Sequence, residues 1–149
     1  MNMPLNTSAD TGDAIEQARY NMIAQQIRPW NVLDEGVLEL LATVRRELFV
    51  PPAYQGAAFT DVEIPLNASA EEAARLGQMM LAPRVSARML QDLHVRPTDR
   101  VLEIGAGSGY MAALLASCAE RVVTLEIVPD LVEFARENLL AAGIRNAEV

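Results

Sequence analysis

Lysine is missing altogether from the 149 residues: all twelve basic side chains are arginine. Schiff-base chemistry, lysine nucleophiles and ammonium clamps on phosphate are thereby excluded. A single histidine, His94, is too few for most metal triads and histidine relays, and a single cysteine, Cys118, cannot close an internal disulfide. No apolar run reaches 18 residues, and no basic start leads into an apolar signal core. With so little cysteine, these absences read as a soluble protein of a reducing, cytoplasmic compartment. Positive charge is scarce as well. A net charge of -8 repels phosphate backbones and anionic lipid, so neither nucleic acid nor a membrane is expected as a partner. Apolar residues are plentiful: at 51% they can bury the core of one domain.

Residues 1–12, with Pro4, Asn6, Ser8 and Gly12, read as a mobile leader. Residues 13–96 read as a wholly helical region. Ile15, Ala18, Met22, Ile23 and Ile27 recur at helical spacing from Asp13 to Arg28, and Pro29 ends that run. A second helix is expected from an Asp34 N-cap, burying Val37, Leu38, Leu40, Leu41 and Val44. Residues 53–68 read as irregular chain. Ser69 and Glu72 then form a capping box, Gly77 stops that short helix, and another spans roughly Pro83 to Leu93. His94 reads as a surface or packing residue, and Cys118 as a small buried hydrophobe.

Residues 97–149 carry the chemistry. Arg100-Val-Leu-Glu-Ile-Gly-Ala-Gly-Ser-Gly-Tyr110, a helix to about Ala119 and Val122-Val-Thr-Leu-Glu126 describe strand, glycine-rich turn, helix and strand. That is the opening βαβ of a doubly wound, Rossmann-like sheet. Glycines at the turn let a ligand approach the backbone, and the following helix points its free amides at it. Gly105, Gly107 and Gly109 are spaced G-x-G-x-G, and Tyr110 stands where a dinucleotide fingerprint has its third glycine, which weighs against a nicotinamide oxidoreductase. Glu126 lies 21 residues after Gly105, where a carboxylate accepts ribose hydroxyls; the alternative is a solvated strand end. Glu103 interrupts an apolar strand whose faces should both be covered. A buried carboxylate demands a partner, either a ligand ammonium group or an internal pair with Arg100 or Arg121.

A glycine turn without a phosphate-binding lysine, an acid for ribose and an acid for an ammonium group together suit S-adenosylmethionine. Here the chain resembles the class I S-adenosylmethionine methyltransferases, and within them the protein-L-isoaspartate O-methyltransferase family. The strings that carry the resemblance are Arg46-Glu-Leu-Phe-Val-Pro51, Ala58-Phe-Thr-Asp-Val-Glu-Ile-Pro65, Gly77-Gln78 before Pro83, and the glycine segment. The resemblance implies an α/β fold in which a helical region covers the substrate and precedes the first half of the methyltransferase sheet. It also implies a cofactor cleft formed by Glu103, Gly105, Ala106, Gly107, Gly109, Tyr110 and Glu126. The reaction implied is methyl transfer from S-adenosylmethionine to a carboxylate of a damaged protein or peptide.

Three departures from the family pattern stand out. Leu81 occupies the position of the family's active-site serine, which leaves the catalytic residue unassigned, and Met79, Met80 and Leu81 read as core or as an apolar acceptor pocket. Asn67 to Leu76 are inserted after Ile64-Pro-Leu66. The chain also reaches only the third strand, at Ile144 to Val149, so it reads as an N-terminal fragment whose first strand becomes an exposed edge. That edge is expected to associate with another chain or a second copy. The alternatives are a methyltransferase-like protein with another acceptor, and a non-catalytic cofactor-binding or interaction module.

Overall fold

The computed structural model describes residues 7–149. Residues 1–6 of the proposed leader lie outside the described residues, and 7–12 are helical, part of helix α1, which spans Thr7–Met22. It continues as a π-helical turn, Ile23–Ile27, and a 3-10 turn, Arg28–Trp30, where Pro29 lacks the amide needed to extend it. Helix α2 (Glu35–Thr43) starts where Asp34 accepts from the Val37 amide at 3.0 Å, and Val37, Leu38 and Leu41 are buried. Two 3-10 segments follow, Arg46–Phe49 and Pro52–Ala57.

The first half is not wholly helical. Strands β1 (Ile64–Pro65) and β2 (Met79–Met80) pair antiparallel, Ile64 opposite Met80 and Pro65 opposite Met79. Two residues are too few to display a period of two, which is why the pairing left no trace in the sequence. Between them the inserted residues form a hairpin carrying α3 (Ala70–Leu76). Only half of its capping box is closed: Ser69 accepts from the Glu72 amide, whereas the Glu72 carboxylate turns to Arg75. Gly77, at φ +70°, ends it. Helix α4 (Pro83–Leu93) closes on His94, exposed and left-handed at φ +49°.

The second half alternates β3 (Arg100–Ile104), α5 (Tyr110–Ala116), β4 (Arg121–Leu125), α6 (Pro129–Ala141) and β5 (Ala147–Glu148). The strands are parallel in the order β3-β4-β5. Val122 and Thr124 of β4 are fully buried beneath α5. One apolar cluster runs through both halves of the chain, joining Met22, Ile27, Leu41 and Phe49 to Leu114, Leu115 and Val122.

The expectation that both faces of β3 are covered is corrected. Leu102 is 63% exposed and Ile104 74%, while Val101 and Glu103 on the opposite face are half-buried. Two successive crossovers running in one direction across a parallel sheet lie on the same face, because each is right-handed. Cys118 is likewise only half-buried, its thiol directed at the carbonyls of Leu114 and Leu115, and burial raises its pKa.

Candidate functional site

The site is assembled at the carboxyl ends of β3 and β4. After Ile104 the chain turns sharply, and the amides of Gly105 and Ala106 both donate to the Leu125 carbonyl, at 2.7 and 3.0 Å. The φ angles of Gly105, Gly107 and Gly109 are +93°, +54° and +83°, left-handed values that a Cβ disfavours. Their surroundings differ. A Cβ on Gly109 would lie 3.2 Å from the Ala135 carbonyl, and one on Gly107 would lie 3.1 Å from a methyl of Leu66, so these two glycines serve close packing. Nothing lies within 4 Å of a Cβ placed on Gly105, which leaves that backbone open to a ligand.

Two carboxylates flank this opening. At the end of β4, one oxygen of Glu126 accepts from the Gly107 amide at 2.9 Å, and the other from the amides of Ile127 and Val128 at 2.8 and 3.0 Å. Glu126 is therefore a half-buried carboxylate aimed back at the turn by three backbone donors, not a solvated strand end. Glu103 lies opposite Thr124 in the β3–β4 register and accepts from its hydroxyl. Burial raises the Glu103 carboxyl to about 7; the hydrogen bond from Thr124 works against that rise and the charge of Glu126 adds to it. The internal pairing with Arg100 or Arg121 is not formed: among the described residues Arg121 pairs with Glu148, and no arginine reaches Glu103.

Glu103, Gly105, Ala106, Gly107 and Tyr110 border a cavity of about 320 Å³. Met79, Met80 and Leu81 form its far wall, so the segment read as core or acceptor pocket faces the glycine turn. Glu126 borders a separate, more open cleft on the other side of the turn, and Gly105 belongs to both. Tyr110 is only 2% exposed. Its ring is packed 5.5 Å from Phe49 and lies under the Arg46 guanidinium at 4.9 Å, so most of it belongs to the core.

Sequence reasoning missed Arg46 and Thr124. Arg46 is fully buried and donates to the carbonyls of Ala58 and Leu81, at 2.8 and 3.0 Å, which ties the acceptor wall to the preceding segment, while its guanidinium over Tyr110 reaches the cofactor half. Desolvation lowers its pKa. Its only early signal was membership of the Arg46-to-Pro51 string; Thr124 stood out only as a hydroxyl among valines.

The sequence pattern of the family described as Protein-L-isoaspartate(D-aspartate) O-methyltransferase matches residues 17–149. The chain belongs to that family. A protein-L-isoaspartate O-methyltransferase of Aeropyrum pernix is 43% identical over 136 residues, covering 89% of this chain and 49% of the relative. One of Methanoculleus marisnigri is 41% identical over 137 residues, covering 92% and 59%. The chain thus spans about half the length of the curated relatives it matches. Two solved structures share the fold. A protein-L-isoaspartate O-methyltransferase superposes with a TM-score of 0.70 at 23% identity, over 90% of this chain and 40% of its own. A Plasmodium falciparum protein described in the same terms, solved with S-adenosyl-L-homocysteine, gives 0.62 at 20% identity, over 89% and 60%. Both agree with the α/β, Rossmann-like methyltransferase architecture. Among the described residues, no helix is long and apolar enough to cross a membrane.

Proposed function

We propose that this chain provides the S-adenosylmethionine-binding turn and the acceptor-facing wall of a carboxyl O-methyltransferase acting on damaged protein or peptide. The observation that carries the reading is the open backbone at Gly105 between Glu103 and Glu126, in a chain of this family. The S-adenosyl-L-homocysteine in the Plasmodium falciparum relative supports the choice of cofactor.

Glu126, held by three amides, accepts the ribose hydroxyls without reorganising, and its charge turns away a ribose phosphate. Glu103 faces the ammonium group, which favours its ionised form in a setting that otherwise raises its pKa. Gly105, Ala106 and Gly107 offer backbone rather than side chains to the bound molecule, and Tyr110 closes the floor. When bound, S-adenosylmethionine supplies a sulfonium methyl: a C–O bond to the acceptor carboxylate forms as the S–CH3 bond breaks, leaving a methyl ester and S-adenosylhomocysteine. An ionised carboxylate acceptor needs no general base, so one exposed histidine is no obstacle. The protein's contribution is alignment and exclusion of water, drawing on the ~7–11 kcal/mol that orientation can supply. Protein repair in the cytoplasm is the role this chemistry suits.

Calorimetric titration with S-adenosylhomocysteine tests the reading. Saturable one-to-one binding is expected; absence of binding to the chain and to any longer form of the protein would overturn it.

The bare apolar face and free edge of β3 support a second element of the reading, association of this sheet with further polypeptide.

A further inference from the structure

The cavity opposite the glycine turn contains a hydroxyl that the fold leaves unused. Helix α4 begins at Pro83, and its N-cap, Ala82, has no side-chain oxygen with which to satisfy the first-turn amides. The amides of Val85 and Ser86 return to the Ala82 carbonyl, at 3.0 and 3.2 Å. Ser86 is 2% exposed and borders the cavity with Leu81, Glu103 and Gly105. Serine and threonine hydroxyls in helices commonly bond back to a carbonyl one turn earlier, as Ser117 does to Ala113 and Thr43 to Glu39. The Ser86 hydroxyl makes no such bond, nor any other among the described residues. A hydroxyl without a protein partner that lines a cavity is available as a donor to an entering acceptor.

The methyltransferase reading makes that acceptor a carboxylate. Helix α4 lies along this cavity and presents Ser86, Met89 and Leu93 to it. Leu81, one residue before the N-cap, offers no donor from its side chain. Met79, Met80, Met89 and Met111 make much of the remaining wall apolar, and its other hydroxyls are those of Ser108 and of Tyr110, the latter buried without a partner among the described residues. Glu103 in the same cavity opposes an anion until a ligand ammonium group neutralises it, which favours entry of the acceptor after the cofactor.

We infer that Ser86 donates a hydrogen bond to the carboxylate of the methyl acceptor, making it the specificity-determining residue of the acceptor side in place of the side chain at position 81. The inference rests on the methyltransferase reading and deepens it.

The test is titration of an isoaspartyl hexapeptide, with the ordinary aspartyl peptide as control, into the chain with and without saturating S-adenosylhomocysteine. Wild type, Ser86→Ala and Ser86→Cys are compared. The nucleoside should bind all three alike, which also shows that they fold. Ser86→Ala should weaken peptide binding about tenfold, in keeping with a lost bond to a charged group, and Ser86→Cys, a poorer donor of similar size, should fall between. Peptide affinity unchanged in both variants would overturn the inference, as would a wild type that takes up the nucleoside but not the peptide. Failure of the nucleoside titration strikes the cofactor reading; peptide binding by the wild type that Ser86→Ala still weakens would keep Ser86 on the acceptor side, whereas equal peptide binding in both, or none, would overturn the inference.

Discussion

Thr124 lies directly across the β3–β4 ladder from Glu103, and its hydroxyl donates to the Glu103 carboxylate. Thr124 is fully buried, so the acid is held by a neutral donor on the covered face of the sheet and not by a cation. This explains how a carboxyl can sit inside the sheet and still be available to a positively charged ligand: its charge is tolerated but not cancelled.

A pH dependence follows from that arrangement. The Glu103 carboxyl rises from 4.5 to about 7 on folding, mainly through burial. Between those values the folded protein holds a proton that the unfolded chain has released, so this group's contribution to stability is fullest below the lower value and is lost as pH rises toward the upper. Urea unfolding at about pH 5 and about pH 8 should show Glu103→Gln gaining relative to wild type at the higher pH. Affinity for S-adenosylhomocysteine should run the other way in wild type, rising with pH up to about 7 as the carboxylate becomes available to the ammonium group. An equal pH response in wild type and variant would remove Glu103 from both effects.

Glu126 should dominate recognition of the ribose. Glu126→Ala removes an acceptor already oriented by the amides of Gly107, Ile127 and Val128. Calorimetry should show nucleoside binding weakened by about 1–3 kcal/mol, the cost of unpaired partners. Unchanged affinity would exclude Glu126 from the site.

Arg46 should matter chiefly to stability. Arg46→Met keeps much of the buried volume but orphans the carbonyls of Ala58 and Leu81 and removes the cation from the Tyr110 ring. A loss on the order of 3 kcal/mol is expected in denaturant unfolding, and Arg46→Lys should recover only part of it, because an ammonium does not reproduce the planar fork. A loss within ~0.5 kcal/mol, the range of ordinary surface changes, would show that the network contributes little.

The exposed sheet face should make the isolated chain self-associate. Leu102, Ile104 and Leu125 are all at least half exposed on neighbouring strands, a contiguous apolar patch beside an edge that is unpaired among the described residues. Light scattering should report species larger than 16.2 kDa, and Leu102→Asp with Ile104→Asp should reduce them. A stable wild-type monomer would mean that the bare face is tolerated.

Local chemistry was enough for much of this protein. Asp34, Ser69, Gly77 and Pro83 set helix ends through hydrogen bonds or backbone restrictions reaching only a few residues, so those boundaries are legible in the sequence. The same holds for the βαβ segment, where five-residue strands, three spaced glycines and Glu126 mark a ligand turn before any contact is known. What tertiary structure alone decided depends on register and on layers. That Thr124 rather than an arginine meets Glu103 follows from the pairing of two strands 21 residues apart. That β3 has one bare face follows from both crossovers lying on the same side of the sheet. The joining of Arg46 to the Leu81 carbonyl spans 35 residues, and Ser86 comes to border one cavity with Glu103 only when the helical half closes on the glycine turn. No residue's own propensity encodes such distances; the shared core that brings the two halves together does.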